Sequence, residues 1–186
     1  MAVVHSKSQN TILELIERYP ELFKEIKAKA KTLLLEEGEV AKKIFFVKKG
    51  CLRIWRNHKG KEITSQFFFE NEMVASIESI RTSRPSGINI ETLEPSTLLV
   101  LSKKNFEMLL KDVPGIKDFM MEMTFKRFLH YSKLYVSFLE NNPAERYKEL
   151  LRNEPRIVQR VPQHYIASYL GITPVSLSRI RSKIRV

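Results

Sequence analysis

At 186 residues the chain can form one or two domains and is long enough to bury a core. Its 43% apolar and 28% charged residues exclude wholesale disorder. The single cysteine, Cys51, excludes an internal disulfide framework and any four-cysteine iron–sulfur or zinc site. No apolar run approaches the roughly 18 residues of a membrane span, and the N-terminus lacks a signal-peptide h-region, so the cytoplasm is the expected address.

Thr11 to Ala30, rich in Leu, Ile, Glu and Lys and interrupted by Pro20, predicts two short amphipathic helices, the second starting near Pro20. From Thr32 to about Ser102 the texture changes to short runs of β-branched and aromatic residues separated by turn residues. Gly38, Gly50 and Gly60 punctuate this region with the rhythm of hairpins in an antiparallel barrel or sandwich. Asn57-His58-Lys59-Gly60 reads as a hairpin loop, and His58 has no second ligand at a spacing suited to a metal or haem. Met73 to Ile80 predicts a short helical segment inside the strand region, followed by a basic loop from Arg81 to Gly87.

Asn105 to Leu110 predicts a short helix leaving the barrel. After Pro114 a long helix is expected to run to about Asn141, with too many apolar positions for a single stripe. One side can lie on the barrel, and a second copy of the same helix is the simplest cover for the other. Met120, Met121 and Met123 read as core filler. Asn141-Asn142-Pro143 breaks the helix, a further helix covers Ala144 to Asn153, and RIVQRV at 156–161 suits a β-hairpin wing.

The last stretch, Gln163 to Val186, predicts two short helices around a tight turn. Ile166, Ala167 and Leu170 share one face of the first, and Leu177, Ile180 and Ile184 one face of the second. Gly171 can take the left-handed backbone that ends a helix, Thr173 offers an N-cap hydroxyl, and Pro174 suits the first helical turn. This is a helix-turn-helix pattern whose second helix carries Ser176, Ser178, Arg179, Ser182 and Lys183, groups suited to phosphate oxygens and guanine edges. From Pro155 onward there is no Asp or Glu, while six Arg and Lys give +6 of the chain's +11. Such a one-signed field is what a polyanion partner requires. An ordinary helical hairpin with a solvated basic face is the alternative that pattern alone leaves open.

Three segments together resemble the Crp/Fnr (catabolite activator-like) family of bacterial transcription regulators: GEVAKKIFFVKKGCLRI at 38–54, LEPSTLLVLS at 93–102 and IASYLGITPVSLSRIR at 166–181. The resemblance implies an α+β chain with an N-terminal cyclic-nucleotide-binding-type antiparallel β-roll at 1–113, a long dimerisation helix at 114–141 and a C-terminal winged helix-turn-helix DNA-binding domain at 142–186. It implies double-stranded DNA and a second copy of the chain as partners, with RNA polymerase as a further one. The family's guanine-reading arginine falls on Arg179, while the positions ahead of it, often Arg and Glu in the family, are here Pro174 and Val175. A different operator is implied, with Val175 against a thymine methyl and Ser176 or Ser178 on base or phosphate. Gln163, His164, Thr173 and Lys183 complete the expected DNA-binding set.

In the sensor half the family's ribose-binding Glu falls on Ser76 and its phosphate-binding Arg on Ser86. Both polar partners of a cyclic nucleotide are thus replaced. An unpaired phosphate in a buried pocket is costly, so ordinary cyclic AMP is not the expected effector. Glu72, Ser76, Arg84, Ser86 and His130 remain the candidate lining of a pocket for some other small molecule. An enzyme is not expected: no catalytic residues, metal-ligand cluster or phosphate-binding glycine loop stand at a recognisable spacing. The reading from another class is a small-molecule sensor whose basic tail contacts a protein or RNA.

Overall fold

A computed structural model describes residues 13–184. Residues 13–18 are helical, and a 3-10 turn at Pro20–Leu22 follows. The second N-terminal helix expected from Pro20 is instead strand β1, Phe23–Ala28. Six consecutive residues pair with the last strand of the roll, from Phe23 opposite Leu101 to Ala28 opposite Ser96. This pairing, with Phe23 and Ile26 packed on the core, overrides the local helix preference of a Lys- and Glu-rich segment. β1 lies at the sheet edge, where the exposed Lys24 and Lys27 discourage further pairing. The start of the first expected helix, Thr11 and Ile12, lies outside the described residues.

The roll continues with β2 Leu33–Leu35, β3 Lys43–Lys49, β4 Leu52–His58, β5 Lys61–Phe68, β6 Met73–Val74, β7 Asn89–Thr92 and β8 Ser96–Ser102. Two antiparallel four-stranded sheets result, in the orders β1-β8-β3-β6 and β2-β7-β4-β5. The β4–β5 hairpin turns at Lys59 (φ 52°) and Gly60 (φ 79°), and the Asn57 side chain accepts the Gly60 N–H at 2.9 Å. Between the sheets Leu35, Phe45, Val47, Leu52, Ile54, Phe68, Ile90 and Leu98 fill the interior. Because side chains alternate along a strand, Leu52 and Ile54 entering that core send Arg53 to the opposite face of the sheet.

The helix expected at Met73 to Ile80 is displaced: Met73 and Val74 pair with β3, and helix α1 covers Ile77–Thr82. Helix α2, Lys103–Asp112, leaves the roll with Ser102 as its N-cap, accepting the Asn105 N–H at 3.1 Å.

The long helix is α3, Ile116–Glu140. Only Ile116 and Phe119 of it are buried. Arg127 and the Tyr131 hydroxyl tie its middle to the Gln66 side chain on β5, at 3.0 and 2.6 Å. Its other side is bare: Met121, Phe125, Phe128, Tyr135 and Leu139 are all more than half exposed. Together with Ser132 these residues recur at intervals of four and three, the spacing of a left-handed coiled-coil seam.

Helix α4, Pro143–Asn153, starts with a full capping box in which Asn142 accepts the Glu145 N–H and Glu145 accepts the Asn142 N–H. The RIVQRV stretch is not a hairpin wing. It forms helix α5, Pro155–Arg160, with Pro155 in its first turn and Ile157 in the core. Proline suits a first helical turn and donates nothing to a strand ladder, and the described residues contain no strand after β8. Helices α6, Gln163–Tyr169, and α7, Pro174–Lys183, form the helix-turn-helix. No helix among the described residues is long and apolar enough to cross a membrane.

Candidate nucleic-acid interface and effector pocket

The turn between α6 and α7 follows from its residues. Gly171 sits at φ 68°, the Ile172 N–H returns to the Ala167 carbonyl at 3.0 Å, and Thr173 Oγ1 accepts the Ser176 N–H at 3.1 Å. A side chain at 171 would be strained in backbone, and its Cβ would press on the Phe138 ring at 3.2 Å. Ile166, Ala167, Leu170 and Leu177 are buried together, with Ile180 and Ile184 packed on them.

That packing leaves one face of α7 outward. Thr173, Pro174, Val175, Ser178, Arg179 and Lys183 are exposed, as are Gln163 and His164 at the start of α6. Val175 is 61% exposed, a large value for an apolar residue with no partner in the monomer. Ser176 is half-buried because its hydroxyl meets that of Thr173 at 2.9 Å. All the expected DNA-contacting residues except the half-buried Ser176 are thus exposed, on α7 and at the start of α6.

The positive field is narrower than the residue count implied. Arg160 lies between two carboxylates: it makes two bonds of 2.8 Å to Glu70 and a further short one to Glu94. Its bond holds the Glu70 carboxyl at a pKa of about 2, below the ordinary 4.5, against the opposing effect of burial. The Arg156 guanidinium sits over the Phe69 ring at 4.7 Å. Among the described residues from Pro155 onward the cations left for a polyanion are Arg179, Lys183, the half-buried Arg181 and the exposed Arg156, whose charge the ring contact does not neutralise.

Of the five residues expected to line an effector pocket, Ser76 and Ser86 touch each other: both are buried, and the Ser86 hydroxyl lies 3.0 Å from that of Ser76 and 2.8 Å from the Ile88 carbonyl. Around them the loop at 84–88 is knitted to the segment 38–41. The Gly38 N–H reaches the Ser86 carbonyl at 2.8 Å, and Ser79 Oγ accepts the Ala41 N–H at 2.9 Å while donating to the Arg84 carbonyl at 2.5 Å. The Arg84 and Arg81 side chains are exposed and lie outside this closure. Glu72 sits in the β5–β6 turn, accepting the Phe69 N–H at 2.7 Å, with burial raising its pKa. His130 is on α3, its pKa lowered by burial. Both Glu72 and His130 have Arg127 and Glu154 as charged neighbours, which places them toward the C-terminal helices.

Sequence reading missed the contacts that join the helix-turn-helix to the roll, those of Arg53, Glu70, Glu94, Arg160, Tyr165 and Ser168. The one signal for them is an arginine inside the apolar run of β4, because a charge on a buried sheet face needs partners from elsewhere.

Residues 25–113 match the cyclic nucleotide-binding domain family. No curated protein sequence gives a significant match. Among solved structures, the c-di-GMP responsive global regulator CLP of Xanthomonas campestris superposes with a TM-score of 0.76 at 18% identity, covering 93% of this chain and 91% of that one. A CooA variant from Carboxydothermus hydrogenoformans gives 0.73 at 18% identity, covering 93% and 83%. A Crp/Fnr-family protein from Eubacterium rectale gives 0.71 at 18% identity, covering 97% and 83%. The chain thus carries a cyclic nucleotide-binding domain at 25–113 and shares the fold of these solved proteins over nearly its whole length.

Proposed function

We propose that this chain is a sequence-specific DNA-binding transcription regulator that acts as a homodimer. The observation that carries this reading is the outward face of α7, where Arg179, Ser178 and Val175 stand exposed beside one another on a helix-turn-helix. Arg179 makes a bidentate contact to a guanine, Val175 meets a thymine methyl, and Thr173, Ser176, Gln163, His164 and Lys183 fix the register on phosphates. Pro174 at the tip keeps that contact apolar.

The bare stripe on α3 supports the dimer. A run of large apolar side chains at coiled-coil spacing is matched most simply by its own copy, with Ser132 giving room where the two helices approach. Two recognition helices then enter successive major grooves about 34 Å apart on a near-palindromic site. RNA polymerase is the further partner of such a regulator.

Ordinary cyclic AMP is not its effector. Two buried serine hydroxyls bonded to each other offer the ribose no carboxylate and a cyclic phosphate no cation. If the roll takes an effector, it is a small molecule recognised by other groups. The domains are proposed at 1–113, 114–141 and 142–186.

Selection of bound duplexes from a random pool, run with and without cyclic nucleotides, tests this reading. Enrichment of one inverted repeat, unaffected by cyclic AMP, is the expected result. Equal retention of all duplexes, or preferential retention of RNA, defeats it.

A further inference from the structure

The helix-turn-helix follows the break at 141–143 by way of α4 and α5, and α5 and α6 are also held on the β-roll at three separate points. The Tyr165 ring lies 3.8 Å from the Arg53 guanidinium. Arg53, only 1% exposed, is itself fixed by Glu91 and Glu62 on the neighbouring strands, with contacts of 2.6 and 2.5 Å. Three residues along α6, Ser168 Oγ accepts the Thr64 N–H at 3.0 Å and donates to the Glu62 carbonyl at 2.7 Å. β5 is the edge strand of its sheet, so a helix side chain here occupies hydrogen-bonding groups that a further strand would otherwise take. The third point is Arg160 between Glu70 and Glu94, with Glu70 anchored in turn by the Gly50 N–H at 2.9 Å.

These points surround a continuous apolar contact. Cys51, Phe67 and Phe69 of the roll share one core with Tyr147, Ile157, Tyr169 and Leu177. The docking occupies Tyr165, Ser168 and Tyr169, and leaves Gln163, His164, Val175, Ser178 and Arg179 exposed. The face proposed to meet DNA and the face held by the roll are therefore different faces of the same unit.

We propose that the β-roll acts as a splint for its own helix-turn-helix: Arg53, Thr64, Glu70 and Glu94 grip Tyr165, Ser168 and Arg160 and present the Val175–Arg179 face outward before any DNA arrives. The advantage is preorganisation. Orientational freedom of the C-terminal helices about the break at 141–143 is lost during folding, so less is lost at the duplex. The grip involves no residue of the Ser76–Ser86 closure, so it holds without a ligand in the roll. Its consequence for DNA affinity rests on the function proposed above, but the grip itself is measurable without DNA.

The test uses the full chain with two variants, Ser168→Ala and the double change Glu70→Gln with Glu94→Gln. Amide exchange without DNA is measured first. Thr64 and the α6 amides are expected to be protected in the unchanged chain and to exchange at least tenfold faster in each variant. Protection that is absent at the start, or unaltered by both changes, overturns the splint. Affinity for the selected duplex is measured next, and each variant is expected to bind roughly five- to thirtyfold more weakly, with the same preferred sequence. Tighter binding means the docking is inhibitory, and unchanged binding means it is irrelevant to DNA; either overturns the proposal. If the unchanged chain shows the exchange pattern but retains no duplex, the regulator reading fails while the grip stands. Should the double variant not fold, Ser168→Ala leaves every charge in place and decides the matter alone.

Discussion

Arg179 and Arg53 show two opposite uses of one side chain. Arg179 is exposed and makes no ion pair among the described residues, which suits a guanine edge. Arg179→Ala is expected to weaken binding to the selected operator by about 1–3 kcal/mol and to relax preference at one base pair per half-site. Competition titrations against operator and scrambled duplex check this, and equal loss on both would assign Arg179 to phosphate only. Arg53 is enclosed by Glu62, Glu91, Thr64 and the rings of Trp55 and Tyr165. Removing one member of a buried charge group leaves the other uncompensated, so Arg53→Ala should destabilise the fold by on the order of 3 kcal/mol. Glu62 is half exposed and partly rehydrates, which keeps the loss at the lower end of that range. Urea unfolding measures it, and a shift below about 0.5 kcal/mol, the scale of ordinary surface substitutions, would show that the charge group contributes little.

Among the elements, α3 is the one whose composition and surroundings disagree within a single chain. Met121, Phe125, Phe128, Tyr135 and Leu139 remain exposed although each carries a large apolar surface. Burying such side chains is worth roughly 1.5–3 kcal/mol each, so a matched pair of helices gains substantially from joining. Phe128→Glu places two like charges at the middle of the proposed seam, and the chain is expected to run as a monomer at micromolar concentration. Sedimentation equilibrium checks the mass; a dimer that survives this change would show that the copies meet elsewhere. Helix α5 makes a related point. The stretch at 156–161 suited a strand by composition, but Pro155 ahead of it and a core socket for Ile157 make residues 155–160 helical.

For the whole molecule, the contact between roll and helix-turn-helix gives stability a defined pH dependence. The Arg160 bond holds Glu70 at a folded pKa of about 2, below its ordinary 4.5. A lowered carboxylate contributes stability that is complete above the ordinary value and is lost as pH falls from there toward 2. His130, also lowered, withdraws a further contribution as pH drops through the ordinary histidine range, because the unfolded chain takes that proton more readily. Glu72 has the opposite sign: its raised pKa is a penalty at neutral pH that protonation relieves. The stability difference between the unchanged chain and Glu70→Gln should therefore be constant near neutrality and shrink between about pH 4.5 and 2. Denaturant midpoints across that range test it, and a difference independent of pH would mean that Glu70 is not paired in solution.

How much of this was legible in the residues follows from how local each cause is. The turn at Gly171–Thr173, the capping break at Asn142–Pro143, the hairpin at Lys59–Gly60 and the apolar faces of α6 and α7 depend on residues a few positions apart, so the order of residue types already determined them. Sequence also determined that positions 76 and 86 carry hydroxyls rather than a carboxylate and a guanidinium, since side-chain chemistry is fixed by residue type. Tertiary structure decided what depends on distant partners. β1 is a strand because β8, some seventy residues away, pairs with it. Arg160 meets two carboxylates of the roll, and Glu72 and His130 have Arg127 and Glu154 as charged neighbours. Long-range pairing and the meeting of charges across a domain contact are set by the folded path of the chain, and that path is not written in any window of neighbouring residues.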